Sequence, residues 1–67
     1  MPRQRRAYSV MDIAGDGRTT VERFSAIDDQ SAKKRAIVAA QGISVALWHG
    51  DQLVARWTRR GRSFLAS

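Results

Sequence analysis

The stretch ISVALWHGDQLVARWT at residues 43–58 decides the fold of this chain. Two runs rich in β-branched, aromatic and other apolar residues flank Gly50-Asp51, a dipeptide suited to a tight two-residue reversal, so the segment reads as a β-hairpin. With Gly50 and Asp51 as the loop, opposed residues share a face of the sheet. One predicted set is Ile43, Val45, Leu47, Val54, Arg56 and Thr58, the bed for whatever packs above. The other is Ser44, Ala46, Trp48, Leu53, Ala55 and Trp57, which leaves two tryptophans and a leucine on the opposite side.

Upstream stands the one good helix, predicted over 29–41. Asp28 or Asp29 supplies the N-cap, its carboxylate accepting from free backbone N–H groups and opposing the helix dipole. Gly42 is the expected terminating glycine. At 100° per residue Ala32, Ala36, Ala39 and Ala40 fall on one narrow face, small enough to let the helix axis approach a sheet. Ile37 and Val38 project to its flanks, whereas Lys33, Lys34 and Arg35 keep the first turns wet.

Further upstream, residues 8–14 (YSVMDIA) and 19–27 (TTVERFSAI) carry strand formers around Gly15-Asp16-Gly17, a second hairpin signal. The expected fold is therefore α+β: ββαββ, one mainly antiparallel four-stranded sheet with a single helix on one face. A helix returning along the sheet makes the second and third strands parallel, so they are expected to be separated rather than adjacent. In this reading residues 1–6 form a basic N-terminal arm, 7–58 the domain and 59–67 a basic C-terminal tail.

Sixty-seven residues suffice for one domain, and so short a chain buries only roughly 60% of its unfolded surface. Cysteine is absent, which removes disulfides and thiolate metal sites as supports and makes a homodimer an expectation. No apolar run reaches the roughly 20 residues of a membrane span, no secretory h-region follows the first arginines, and no asparagine offers a glycosylation site. The expected location is cytoplasmic. Apolar residues at 43% and charged residues at 27% describe a folding chain despite the net charge of +6.

The charge is unevenly placed. Arg3, Arg5, Arg6, Arg56, Arg59, Arg60 and Arg62 lie within residues 1–6 and 56–67, where no acid stands, while between them acidic residues slightly outnumber basic ones. Basic ends on a nearly neutral body suit a polyanion, because each cation that neutralises a phosphate releases counterions. The seven arginines are thus candidate nucleic-acid contacts, with DNA or RNA as the partner, although terminal charge also serves solubility alone. Trp48, Leu53 and Trp57, with Ile37 and Val38 on the helix, form the candidate protein interface. Two other readings of the tryptophans stay open: core residues, if the hairpin register is off by one, or platforms for stacked bases.

No catalytic constellation is found. His49 with Asp51 lacks the further groups a zinc site or a triad requires. The Asp12, Asp16, Gly17 spacing puts Ala14 and Arg23 where a calcium loop needs oxygen ligands, and residues 15–20 lack the lysine of a phosphate-cradling loop. The chain is read as a non-enzymatic binding module without cofactor, metal or small-molecule substrate.

Phe24-x-Ala26-x-Asp28-Asp29-x-x-Ala32-x-x-x-Ala36, followed by Val45-x-Leu47-Trp48-x-Gly50-x-x-Leu53-Val54-Ala55-Arg56, resembles a group of very small alphaproteobacterial-type proteins. Their marks are an Ala-x-Asp-Asp helix start and a Leu-Trp-x-Gly hairpin. The likeness covers about residues 8–56 and leaves the basic ends outside. It implies the fold and implies no activity.

Overall fold

The computed structural model describes residues 5–61 and 63–66, so Arg3 and Arg62 lie outside the described residues. The elements run β1 (Arg6–Ile13), β2 (Thr19–Ala26), α1 (Asp29–Ala39), β3 (Ser44–His49), β4 (Gln52–Arg60) and β5 (Ser63–Ala66). They make an α+β fold with one sheet of order β2-β1-β3-β4-β5, every neighbouring pair antiparallel. As expected, β2 and β3 point the same way and are held apart by β1. The sheet has five strands where four were expected. The fifth forms where Gly61, at φ 60, helps turn the chain, so that Ser63 pairs with Arg60 and Ser63–Ala66 lies back along β4 within the segment read as a tail.

Each turn has a local cause. Gly17, at φ 88, occupies the left-handed position that closes the first hairpin, and its N–H reaches the Ala14 carbonyl at 3.0 Å. The Asp16 carboxylate accepts from the Arg18 N–H at 3.0 Å and fixes the same loop. Gly50, at φ 63, takes the first loop position of the β3–β4 hairpin while Asp51 keeps an ordinary φ, the pattern of a type II′ turn.

The register of that hairpin departs from the expectation after two pairs. His49 opposes Gln52 and Trp48 opposes Leu53, but a bulge then places Ala55 opposite Leu47 and Trp57 opposite Val45. One extra residue inverts every position beyond it. Ala55 and Trp57 therefore join Val45 and Leu47 on the helix side, while Arg56 and Thr58 move to the open side. Trp57 is a core residue, 8% exposed. Ile43, expected in the bed, is exposed at the strand's start.

The core is the helix-side layer: Tyr8 and Val10 from β1, Ala26 from β2, Val45 and Leu47 from β3 and Trp57 from β4, beneath Ala32 and Ala36 of the helix. The two alanines are fully buried, which lets the helix pack closely on β2 and β3. Ala39 is exposed rather than buried and Ala40 only half-buried. Asp28 is the N-cap, accepting from the Ser31 N–H at 2.8 Å. Asp29 instead accepts from the Tyr8 hydroxyl at 2.6 Å, tying the helix start to β1.

The helix stops at Ala39 with Ala40 as its C-cap, two residues earlier than expected. Gly42 lacks the positive φ of a terminating glycine. Its role is steric. A Cβ there would fall 2.3 Å from both the Asp12 Oδ1 and the Ile13 carbonyl oxygen. The absence of that carbon lets the Asp12 carboxylate accept from the Gln41 N–H at 2.9 Å and the Gly42 N–H at 2.8 Å. On the carbonyl side, the Arg59 guanidinium donates to the Gly42 oxygen at 3.0 Å and the Ala40 oxygen at 3.5 Å. The Ile43 N–H meets the Ile13 carbonyl at 2.8 Å and leads the chain into β3.

Gly42→Ala should therefore cost about 2 kcal/mol by overpacking, read as a lower denaturant midpoint. Gly15→Ala, where an added Cβ meets nothing within 4 Å, should stay within about 0.5 kcal/mol of wild type. Equal effects at the two glycines would show that the close approach to Asp12 does not matter.

Candidate binding surfaces

Alternation along the strands divides the sheet into two unlike faces. The helix side carries Tyr8, Val10, Asp12, Glu22, Phe24, Val45, Leu47, Trp57, Arg59 and Phe64. The open side carries Met11 and Ile13 from β1, Val21 and Arg23 from β2, Ala46 and Trp48 from β3, Leu53, Arg56 and Arg60 from β4 and Leu65 from β5. Among the described residues no second layer covers the open side, and Val21, Leu53 and Leu65 are exposed on it.

Charge is segregated with equal clarity. Glu22 and Asp12 stand on the helix side, Asp28 and Asp29 at the helix start, and Asp16 and Asp51 in turns. No carboxylate occupies a strand position of the open side among the described residues. Its charged residues are all arginines: Arg23 on the edge strand β2, and Arg56 and Arg60 on β4. Arg23 and Arg56 lie three strands apart, about 15 Å at the usual inter-strand spacing.

Trp48 sits in the row Arg23–Ser9–Trp48–Leu53. It is half-buried, and its indole N–H is shielded from solvent without an acceptor among the described residues. What Trp48 presents outward is therefore carbon surface. An orphaned buried donor costs about 1–3 kcal/mol.

The sequence candidates do not form one patch. Arg5 donates to the Ser25 carbonyl at 3.1 Å, and Arg6 pairs loosely with Asp29 at 3.8 Å, both at the end of the sheet near the β3–β4 turn. Arg60 lies at the other end, about 30 Å away along the strands. Arg59 is a structural residue: besides bonding the loop after the helix, its guanidinium stacks 4.4 Å from the Phe64 ring. Trp48 and Leu53 lie on the open side as expected, whereas Trp57, Ile37 and Val38 border the helix. Arg23, in no basic cluster, escaped the sequence reading. Only the pairing of Ser9 with Arg23 and Trp48 brings it into the row.

On the helix side, the Tyr8 ring stacks with Phe24 at 5.9 Å and tilts against His49 at 5.2 Å. His49 thus ends a strand against the core. Arg35 lies 4.9 Å over the Phe24 ring. Among the described residues no three metal-ligating side chains converge, and no helix is long and apolar enough to cross a membrane. No family model, curated protein or solved structure matches the chain.

Burial pushes the Tyr8 phenol above its ordinary pKa of 10.0, aided by its hydrogen bond to the Asp29 carboxylate and the charge there, and opposed by Arg6. The unfolded chain then releases this proton first as pH rises. Tyr8 should contribute its full share of stability below about pH 10 and lose it as pH climbs through the unfolded value toward the folded one. Urea midpoints from neutral pH upward should fall in wild type above about pH 10 and less steeply in Tyr8→Phe; parallel curves would contradict the shift.

Proposed function

We propose that the chain is a non-enzymatic binding module whose open sheet face receives a single-stranded nucleic acid. The observation that carries this reading is the acid-free face: Arg23, Arg56 and Arg60 surround an aromatic and aliphatic centre of Trp48, Leu53, Met11 and Val21. Arginines can hold phosphates in bidentate fashion while an aromatic ring stacks a base, worth about 1–3 kcal/mol per base. An open sheet of five strands is suited to splayed bases rather than to the groove of a duplex. Arg5 and Arg6 at one end and Arg60 at the other would extend the track along the strands.

Titration of a single-stranded oligonucleotide, followed by tryptophan fluorescence, should give an affinity that falls steeply with salt. Arg23→Gln and Arg60→Gln should each weaken binding of every sequence alike and reduce the slope of log K against log salt by about 0.7. Arg18→Gln, whose guanidinium is paired with Asp16 in a turn at 3.3 Å, should leave that slope unchanged. Absence of binding at low salt would end the proposal.

The exposed Val21, Leu53 and Leu65 favour a second reading, in which a second copy covers the same face. Light scattering separates the two. A dimer that Leu53→Glu converts to a monomer, and that no oligonucleotide dissociates, supports self-association. A monomer that binds the oligonucleotide supports the first.

A further inference from the structure

The helix is narrower than the sheet beneath it. Five strands spaced about 4.8 Å apart give width for two helices side by side, since packed helices lie about 8–10 Å axis to axis. One helix is present among the described residues, seated on β2 and β3 with β1 between them. The helix-side positions of β4 and β5 are covered more thinly: Trp57 is buried against the helix, Phe64 is covered by the Arg59 guanidinium, and Ala66 is exposed.

A groove of about 410 Å³ opens along the flank of the helix over β4, lined by Trp57 and by Gln30, Lys33, Lys34, Ile37 and Val38. Val38 is 83% exposed, an unusual state for a valine on a helix flank that borders the core. The lining combines the apolar Trp57, Ile37 and Val38 with the cationic Lys33 and Lys34, and no carboxylate contributes to it.

The charge selects the occupant. A second copy presenting its own helix here would set Lys33 and Lys34 against their counterparts, an unfavourable like-charge contact. We propose that this groove docks an acidic amphipathic helix of a partner protein, its large apolar side chains against Trp57, Ile37 and Val38 and its carboxylates beside Lys33 and Lys34. A helix fits because the groove follows the flank of α1 for about two turns, from Gln30 to Val38, and helix-in-groove recognition uses an apolar stripe of this kind. The docking surface is on the side of the sheet opposite the nucleic-acid face, so the two readings stand independently.

The test uses the full chain, isotope-labelled, with two synthetic helical peptides. One carries leucines at i and i+4 flanked by glutamates; its twin carries lysines in place of the glutamates. The glutamate peptide should shift the Trp57 indole and the Ile37 and Val38 methyl signals and leave Trp48 unmoved. Lys33→Glu combined with Lys34→Glu should weaken it at least ten-fold and admit the lysine twin instead. Val38→Asp, at an exposed position that leaves the core intact, should also lose at least ten-fold. Three results would overturn the proposal: no shift with either peptide, equal binding of both by the unmodified chain, or an oligonucleotide moving the groove signals where the glutamate peptide does not.

Discussion

The carboxylate of Asp12 is the contact on which the arrangement of layers depends. It accepts two backbone N–H groups from the loop that leaves the helix, and Gly42 alone makes room for it. Hydrogen bonds to a charged acceptor are worth about 1.5–3 kcal/mol each, a large fraction of what a chain this short can hold in reserve. Arg59 takes the carbonyls of the same loop from the other side. An anion for the N–H groups and a cation for the C=O groups replace the left-handed glycine that ends many helices. The consequence reaches beyond the loop: it fixes where the helix stops, where β3 begins, and hence which face of the sheet is covered.

Much of this was legible in the sequence, because its signals were local. Gly50 with Asp51 marks a turn through backbone conformation alone, and Asp28 marks a helix start through the acceptor it offers. The separation of β2 from β3 follows from chain direction. The bulge was not legible. Leu53, Val54 and Ala55 are all apolar, so either register buries something, and no glycine or charge in the run pins one alignment. The turn alone therefore places Trp57 on the open side with Trp48, and the alternative of a core position is the one it takes. The fifth strand is hidden by its setting, since Gly61 and four mostly exposed residues sit beside arginines that read as a tail. Gly42 was recognised as special for the wrong physical reason. A close approach between residues thirty positions apart leaves no mark in local sequence.

The inverted register also changes what the charges mean. With the expected pairing Arg56 would lie beneath the helix and Trp57 in the open, giving two exposed tryptophans with few cations around them. The bulge exchanges them. The open side gains an arginine and keeps one tryptophan, and the helix side gains the floor of a groove. Segregation of acids to the helix side, the helix start and the turns then leaves one face of a nearly neutral body wholly basic. A net charge summed over the chain cannot express this, because it averages over a boundary that the strand pleat makes sharp.

Small size gives both faces their character. A sheet of five strands with one helix cannot enclose itself. Among the described residues no second layer covers the open side, and the single helix lies over β2, β1 and β3. These are two surfaces that differ in chemistry, arginine around carbon on one side and lysine beside tryptophan on the other. Because the sheet lies between them, a ligand on one face need not compete with a ligand on the other. The proposed nucleic-acid and helix-docking surfaces lie on opposite sides of one sheet, which would then act as a spacer joining two partners.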